Sequence, residues 1–454
     1  MRRFLIETLG CPKNEYDSSI LAYLLKREGA ELVDDVSNAT DVVVNTCAFI
    51  NEAKMESLEI IFELLELKKE RKNLRVYIYG CLAQRYFDNL LEQIPEIDGI
   101  IGLCDLHRVS KWLVNSDNKI VLRCEQPVVV QRNFCGRFLE AGPFVYVKIG
   151  DGCDRNCAFC SIPLFKGRHV SRDRDDIVEE IAKLIESGKK EIILVDQDIT
   201  QFRDNEGNGL IELLQSIDKI EGNFWVRTMY LHPDHVNIEM IREMAKLKKW
   251  IHYLDIPIQH GSNDILRRMG RIKSREELLS FFKTVRNEIP DVILRSSFII
   301  GFPGETEKDF EETLEIIEKV GFERFGFFTY SDEEGTFAYE YKNKIDLNTM
   351  KRRLKIANDF ASNFLGEVQL KNIGKKFEVL VEGFDKESNR FFGRSYMDAP
   401  DVDTYVYISN DTKYKVHTGS WITVQITGLE GLDLEGSIIL YGKNDSKVSN
   451  NTGN

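Results

Sequence analysis

Three short apolar runs in the first hundred residues, Phe4 to Thr8, Asp41 to Thr46 and Leu74 to Tyr79, alternate with helix-like stretches at Ser18 to Glu28 and Glu52 to Glu70. Apolar runs separated by helical periodicity read as an open parallel α/β sheet. From Pro143 the pattern restarts. Phe144 to Ile149, Glu191 to Val195, Phe224 to Tyr230, Tyr253 to Pro257, Ile293 to Ile300 and Phe325 to Thr329 are strand-like, with helical patterns between them. Six strand-helix repeats predict most of a TIM-type barrel, a (β/α)6 unit left open, with functional groups on the loops after the strands. A charged helical stretch, Asn348 to Gly366, precedes a change of period. From about Gly374 to Tyr441, short runs rich in Val, Ile, Phe and Tyr are broken by Gly and Asp, which predicts a small five-stranded antiparallel β-barrel. The fold class expected is therefore α/β and multidomain: residues 1–118, a linker at 119–140, an open barrel at 141–366, a small barrel at 367–442 and a polar, disordered tail at 443–454.

Size and charge narrow the function classes. A chain of 454 residues with 43% hydrophobic content is too long for one ordinary core and too apolar to be disordered. The 61 Lys and Arg against 74 Asp and Glu leave a net charge of −13, which disfavours a large phosphate-binding footprint and suits a basic partner. Phe4-Leu5-Ile6 is followed at once by Glu7, so no signal-length apolar segment opens the chain. Nor does any later run approach the roughly 18 apolar residues of a membrane span. A cytoplasmic protein without membrane partners is the expectation. There thiols stay reduced, so nine cysteines point to metal or catalysis before disulfides.

Two sets of cysteines carry that chemistry. Gly152-Cys153-Asp154-Arg155-Asn156-Cys157-Ala158-Phe159-Cys160 puts three thiols on one tight loop after the first strand of the open barrel. Three soft ligands suit a cubane iron-sulfur cluster with its fourth iron open; a zinc site lacking its fourth ligand, or a chance grouping of cysteines, is the alternative. The second set is dispersed. Leu9-Gly10-Cys11, Asn45-Thr46-Cys47 and Gly80-Cys81 each close an apolar run of the first domain. Ligands in open α/β sheets sit outside the carboxyl ends of the strands, so these three cysteines are expected to converge. The plainer alternative is three small buried residues at strand ends. Cys104, Cys124 and Cys135 fit neither set and read as ordinary core or surface thiols.

The loop from Ile149 to Arg172 resembles the radical-SAM signature of the methylthiotransferase family, and the likeness extends from Leu9-Gly10-Cys11-Pro12-Lys13-Asn14 to Asp433-Leu434-Glu435-Gly436. The resemblance implies three parts: a domain with an auxiliary [4Fe-4S] cluster, a radical-SAM barrel and an OB-like TRAM domain. It implies that Cys153, Cys157 and Cys160 hold the [4Fe-4S] cluster that binds S-adenosylmethionine, and that Cys11, Cys47 and Cys81 hold the second. It implies an electron supplied by a donor of flavodoxin or ferredoxin type, cleavage of S-adenosylmethionine to a 5'-deoxyadenosyl radical, hydrogen abstraction from an unactivated carbon, and delivery of a methylated sulfur to that carbon. Gln197, Gln259 and Arg271, after barrel strands, are candidates to meet S-adenosylmethionine; helix caps and salt bridges are equally ordinary uses for them.

Two branches of the family differ in acceptor, one modifying a tRNA adenosine and the other the β-carbon of an aspartate in small-subunit ribosomal protein S-twelve. Gly10-Cys11-Pro12-Lys13-Asn14, Met229-Tyr230-Leu231-His232-Pro233 and Gly393-Arg394-Ser395-Tyr396-Met397-Asp398-Ala399-Pro400-Asp401 are similar to the protein-modifying branch. Charge agrees with it: Lys371 to Leu440 hold 8 Lys and Arg against 11 Asp and Glu, an acidic surface that repels phosphate and attracts a basic ribosomal protein. The chain departs from that branch at Ile199, Gln201-Phe202 and Thr404, none of which is expected to touch a cluster ligand. An iron-sulfur carrier or electron-transfer protein is the non-enzymatic alternative, and it has no use for the open barrel or the small one.

Overall fold

The structure, a computed structural model, describes residues 1–128, 142–410 and 415–441. Cys135 and the tail expected at 443–454 lie outside the described residues. The first domain runs β1 (Arg3–Thr8), α1 (Pro12–Arg27), β2 (Glu31–Leu32), β3 (Asp41–Thr46), α2 (Asn51–Glu70), β4 (Arg75–Gly80), α3 (Cys81–Arg85), α4 (Phe87–Gln93), β5 (Gly99–Ile101), α5 (Leu106–Asn115) and β6 (Ile120–Leu122). Its six strands pair in the order β2-β1-β3-β4-β5-β6, every pair parallel. All six residues of β3 are buried, as both-face coverage by helices requires. The β6 residues, expected in a linker, are instead the edge strand of this sheet. A three-residue strand has too little periodicity to announce itself, and its place is set by pairing with β5.

The second unit comprises β7 (Phe144–Lys148), a two-strand ribbon of β8 (Gly150–Asp151) and β9 (Val170–Ser171) around α6 (Ile162–Lys166), then α7 (Arg174–Glu186), β10 (Glu191–Val195), α8 (Leu210–Asp218), β11 (Trp225–Thr228), α9 (Ile238–Ala245), β12 (Trp250–Asp255), α10 (Asn263–Arg268), α11 (Arg275–Glu288), β13 (Ile293–Ile300), α12 (Glu307–Val320) and β14 (Arg324–Thr329). The six main strands form one parallel sheet in sequence order, β7-β10-β11-β12-β13-β14, with its ends unjoined. Its outer core, including Ile181, Leu194, Leu214, Met244, Phe282 and Phe298, packs strands against helices.

Helix α13 (Leu347–Leu370) leads into the closed barrel of β15 (Lys376–Asp385), β16 (Arg390–Arg394), β17 (Val406–Ser409), β18 (Trp421–Glu430) and β19 (Asp433–Tyr441). Four of its strand pairs are antiparallel, but β17 and β19 run parallel, so the barrel expected to be antiparallel throughout is mixed. The β16–β17 loop enters the open barrel from the amino ends of its strands. There Met397 and Ala399 share a core with Tyr146, Ile193, Met229 and Tyr253. Buried ion pairs secure it: Glu191 accepts from Arg227 at 2.8 Å and from Arg394 at 2.7 Å, and Arg324 donates to Asp398 at 3.0 Å. No described helix is long and apolar enough to cross a membrane.

Candidate functional site

The strand order 2-1-3 makes β1 and β3 the switch point of the first sheet, where a crevice opens beyond their carboxyl ends. Cys11 follows β1, Cys47 follows β3 and Cys81 opens α3 directly after β4. Side chains lock these ends together. Asn14 Nδ2 donates to Leu9 O at 2.6 Å, Asn45 Nδ2 to Asn14 O at 3.0 Å, and Thr46 Oγ1 to Tyr79 O at 2.7 Å. Gly10 sits at φ +96°, and a Cβ there would lie 2.6 Å from Cys47 Cβ and 2.9 Å from its Sγ, so the approach of Cys11 to Cys47 requires glycine. Burial pushes the Cys47 thiol up to about 11, with the neighbouring Cys11 adding to the rise. Burial likewise raises Cys81, which feels Lys166, Cys47 and Cys11. The three expected to converge do so.

Cys153, Cys157 and Cys160 lie on the loop after β7 and β8, at the carboxyl mouth of the open barrel. The loop is tied down at several points. Cys153 N donates to Gly167 O at 3.1 Å, Ala158 N to Met269 O at 2.9 Å, and Arg155 Nε to Asp198 Oδ2 at 2.7 Å. N–H groups are aimed at the sulfurs: Arg155 N and Gln201 Nε2 each lie 3.4 Å from Cys153 Sγ, and Arg271 Nη1 lies 3.5 Å from Cys157 Sγ. Burial raises the Cys153 thiol to about 11 and also raises Cys160. Buried thiols ringed by N–H donors suit sulfurs that become anionic on binding metal. Among the described residues no group of three or more His, Cys, Asp or Glu is disposed to hold a single metal ion.

Gln201 is a correction. It stands where the chain departs from the protein-modifying pattern, and it was expected to leave the cluster ligands alone; its amide instead donates to Cys153 Sγ, while its Oε1 accepts from Asp154 N at 3.1 Å. Of the residues expected near S-adenosylmethionine, Arg271 reaches the cysteine loop, contacting Cys157, His232 and the face of Phe159. Gln197 spends its amide on Asp151 at 3.0 Å. Gln259 lies beyond β12 with φ 73°, its backbone bridging to Phe298. The reading of Cys104 and Cys124 as separate thiols fails, because they form a disulfide joining the segments after β5 and β6. Sequence spacing holds no pairing information, and only the adjacency of those two strands brings them together.

The two cysteine sets face one another. Cys81 and Cys153 belong to one apolar cluster with Leu82, Phe87, Ile162 and Phe165, into which Cys160 also packs. Across this seam runs a buried ionic cluster that the sequence analysis missed. Lys148 Nζ lies 2.6 Å from Asp17 and 3.3 Å from Asp151, and Lys166 Nζ lies 2.6 Å from Asp151. Burial alone would raise Asp151, but Lys166 and Lys148 hold it well below the usual carboxylate range. The only available signal was Lys148, a charge closing the apolar run Phe144–Lys148. On the outer side, Glu333 binds Arg85 at 2.5 Å and Lys54 at 2.9 Å, fastening α2 and α3 to the loop after β14.

Comparison with known proteins agrees with this architecture. Residues 3–102, 147–317 and 373–439 match families described as "Uncharacterized protein family UPF0004", "Radical SAM superfamily" and "TRAM domain". The "Ribosomal protein uS12 methylthiotransferase RimO" of Thermotoga maritima is 42% identical over 440 residues, covering 96% of this chain and 99% of that protein. Its counterpart in Fervidobacterium nodosum is 44% identical over 441 residues, covering 96% and 99%. Among solved structures, the radical S-adenosylmethionine methyltransferase TsrM from Kitasatospora setae, with cobalamin and a [4Fe-4S] cluster bound, has a TM-score of 0.52 at 16% identity. It covers 72% of this chain and 75% of that one, a likeness of fold alone.

Proposed function

The chain belongs to the RimO family of radical-SAM methylthiotransferases, and from that premise we propose that it adds a methylthio group to the β-carbon of an aspartate in ribosomal protein uS12. Membership brings with it a [4Fe-4S] cluster and S-adenosylmethionine. Cys153, Cys157 and Cys160 would hold that cluster, and Cys11, Cys47 and Cys81 a second. When bound, these groups supply one-electron cleavage of a sulfonium and a transferable sulfur, chemistry that no side chain performs on an unactivated C–H bond.

The protein's own groups position and shield. The Arg155–Asp198 pair fixes the cysteine loop against the turn after β10. Arg155 N–H, Gln201 and Arg271 place positive hydrogens on its sulfurs, favouring the thiolate form. Lys166, beside Cys81 and Cys11, does the same for the second set. Arg271, Gln259 and the Oε1 that Gln197 has left are the proposed contacts to S-adenosylmethionine. Leu82, Ile162 and Phe165 keep water from the seam, where a radical needs a dry site.

The observation that best supports the reading is that Cys81 and Cys153 belong to one packed apolar cluster, which would bring a carbon activated at one set towards a sulfur held at the other. The acidic C-terminal barrel, with 8 Lys and Arg against 11 Asp and Glu, supports a basic protein acceptor over tRNA. A low-potential donor of flavodoxin or ferredoxin type would supply the electron, and an acceptor on the ribosome puts the enzyme in the cytoplasm. The test is direct. Anaerobically reconstituted enzyme receives S-adenosylmethionine, sulfide and reductant with either a uS12 peptide bearing its loop aspartate or an anticodon-stem RNA, and both are analysed by mass spectrometry. One added methylthio group on the peptide alone is expected; addition to the RNA alone overturns the acceptor.

A further inference from the structure

Three exposed apolar side chains gather around Arg85 of α3. Its guanidinium is nearly buried and donates to Ala48 O at 2.9 Å, Glu334 O at 3.1 Å and Ser161 Oγ at 3.4 Å. Phe49 follows Ala48, Leu164 lies one turn beyond Ser161, and Phe337 opens the turn Phe337–Glu340 just past Glu334. A Cβ on Gly335 would come within 2.9 Å of Leu164 Cδ1, so the leucine lies over that stretch of chain. Phe49, Leu164 and Phe337 are 39%, 53% and 68% exposed. Single apolar groups on a surface are ordinary, whereas three brought together from two domains mark a surface that something covers.

The backbone beneath them is held still. Ala338 N donates to Ala158 O at 2.8 Å, Thr336 Oγ1 to Glu333 O at 2.7 Å and Ser161 Oγ to Phe49 O at 3.4 Å. Thr336 and Ala338 are buried on either side of Phe337, so the turn is anchored while its ring stands in water. An aromatic anchor on a rigid turn loses little freedom when a partner covers it. Charge says which partner. In residues 49–52, 161–164 and 331–344, the exposed Glu52, Glu334 and Glu340 have no ion pair among the described residues, against Lys342 alone, because Lys344 is paired with Asp332. Such a rim repels phosphate and attracts the Lys and Arg of a protein built to bind ribosomal RNA. Phe49 is two residues past Cys47 and Leu164 four past Cys160, so a body resting there borders both cysteine sets.

We propose that Phe49, Leu164 and Phe337, rimmed by Glu334 and Glu340, are the surface on which the ribosomal protein docks outside its modified loop, an inference that rests on the protein-acceptor reading above. Its occupant is a basic segment that presents an apolar side chain to Phe337. The docked body then holds the acceptor loop at the rim of the seam.

The experiment uses full-length enzyme reconstituted with iron and sulfide, fluorescently labelled full-length uS12, and a short uS12 peptide that carries only the loop aspartate. Anisotropy gives the affinity for uS12, and iron content, melting and sedimentation are recorded alongside. Phe337→Asp should weaken uS12 binding at least tenfold, about 1.4 kcal/mol, while the short peptide is methylthiolated as by wild type. Glu334→Lys combined with Glu340→Lys should weaken uS12 binding more at low salt than at high salt. A Phe337→Asp protein that binds uS12 as well as a control at exposed Val121→Asp overturns the proposal. Should Phe337→Asp lose iron or melt early, the paired charge reversal on the exposed rim decides, and unchanged affinity there overturns the proposal equally. If the substitutions turn a dimer into a monomer without altering uS12 affinity, the patch belongs to a second copy of this chain and the proposal fails. Wild-type protein that modifies neither uS12 nor the peptide refutes the acceptor reading beneath it.

Discussion

Glu191 offers the sharpest test of how the C-terminal barrel is held. Its carboxylate is fully buried between Arg227 of β11 and Arg394 of β16, at 2.8 and 2.7 Å, and both guanidinium groups are at most 1% exposed. Arg394 has a second carboxylate in Glu382, whereas Arg227 has none among the described residues, its other supports being Tyr396 O at 3.2 Å and the ring of Tyr253. Glu191→Ala therefore strands one buried charge, a change that costs about 3–5 kcal/mol, against about 5–15 kcal/mol for a whole domain. At roughly 2–4 °C per kcal/mol for a unit of this size, the first calorimetric transition should fall by about 6–20 °C. Hydrogen exchange should quicken in the loop of Met397 and Ala399, which leaves the open barrel as the joint fails. Combining Glu191→Leu with Arg227→Met should recover more than half of the loss, because Glu382 still neutralises Arg394 and apolar groups replace the broken pair. If Glu191→Ala melts within a degree of a control at exposed Glu239, the pairs contribute nothing to docking and the reasoning is wrong.

Gly10→Ala brings a Cβ to 2.6 Å from Cys47 Cβ at φ +96°, so it should halve the iron bound on reconstitution while S-adenosylmethionine cleavage persists; full iron loading would show that the loop yields. Gln201→Leu removes an N–H from Cys153 Sγ, and spectroelectrochemistry should find the cluster proposed on that loop roughly 20–60 mV more negative, the one-electron equivalent of about 0.5–1.5 kcal/mol. His169 concerns pH. Burial opposes its charge, but the hydrogen bond to Asp196 at 2.8 Å outweighs this and raises its pKa above 6.5. A raised folded value means stability that is complete below 6.5 and lost as pH climbs through the folded pKa. Burial raises Asp196 as well, and that carboxyl remains in His169→Gln, so the difference between the two proteins isolates the histidine. The melting advantage of wild type over His169→Gln should shrink as pH rises above 6.5, and a constant difference would contradict the assignment.

What could be read from the sequence was whatever each segment states by itself. The strand Glu191–Val195 is apolar after its first residue and buried throughout, so its run and its ends coincide. The strands Glu31–Leu32, Gly99–Ile101 and Ile120–Leu122 are too short for any period, and partners alone place them. The same division holds for the site. Cys153, Cys157 and Cys160 share one loop and carry their spacing with them; Cys11, Cys47 and Cys81 needed only the rule that ligands gather beyond parallel strands. The ionic seam obeyed no such rule. Asp17, Lys148, Asp151 and Lys166 come from α1, β7, β8 and α6, and a single charge in any of these reads as solvated surface until the domains meet.

That meeting has a physical logic of its own. Both cysteine sets sit at the carboxyl ends of parallel strands, so bringing them together requires two sheets to dock mouth to mouth, loop against loop. Loops carry polar backbone that a dry junction would leave unsatisfied. Packing the seam with apolar side chains alone would bury those groups without partners. Lysines paired with aspartates give directional contacts instead: Lys148 binds Asp17 of the first domain and Asp151 of the second, Lys166 binds Asp151, and Lys13 caps the carbonyl of Asp196. Such pairs are poor sources of net stability, yet they accept few alternative arrangements. A junction built this way fixes the distance between two cysteine sets more tightly than an oily one would. Transfer of sulfur to a short-lived carbon radical depends on that distance, so Asp17→Asn, which loosens Lys148 without touching a cysteine, should leave radical formation intact while lowering the fraction of radicals that end as methylthio product.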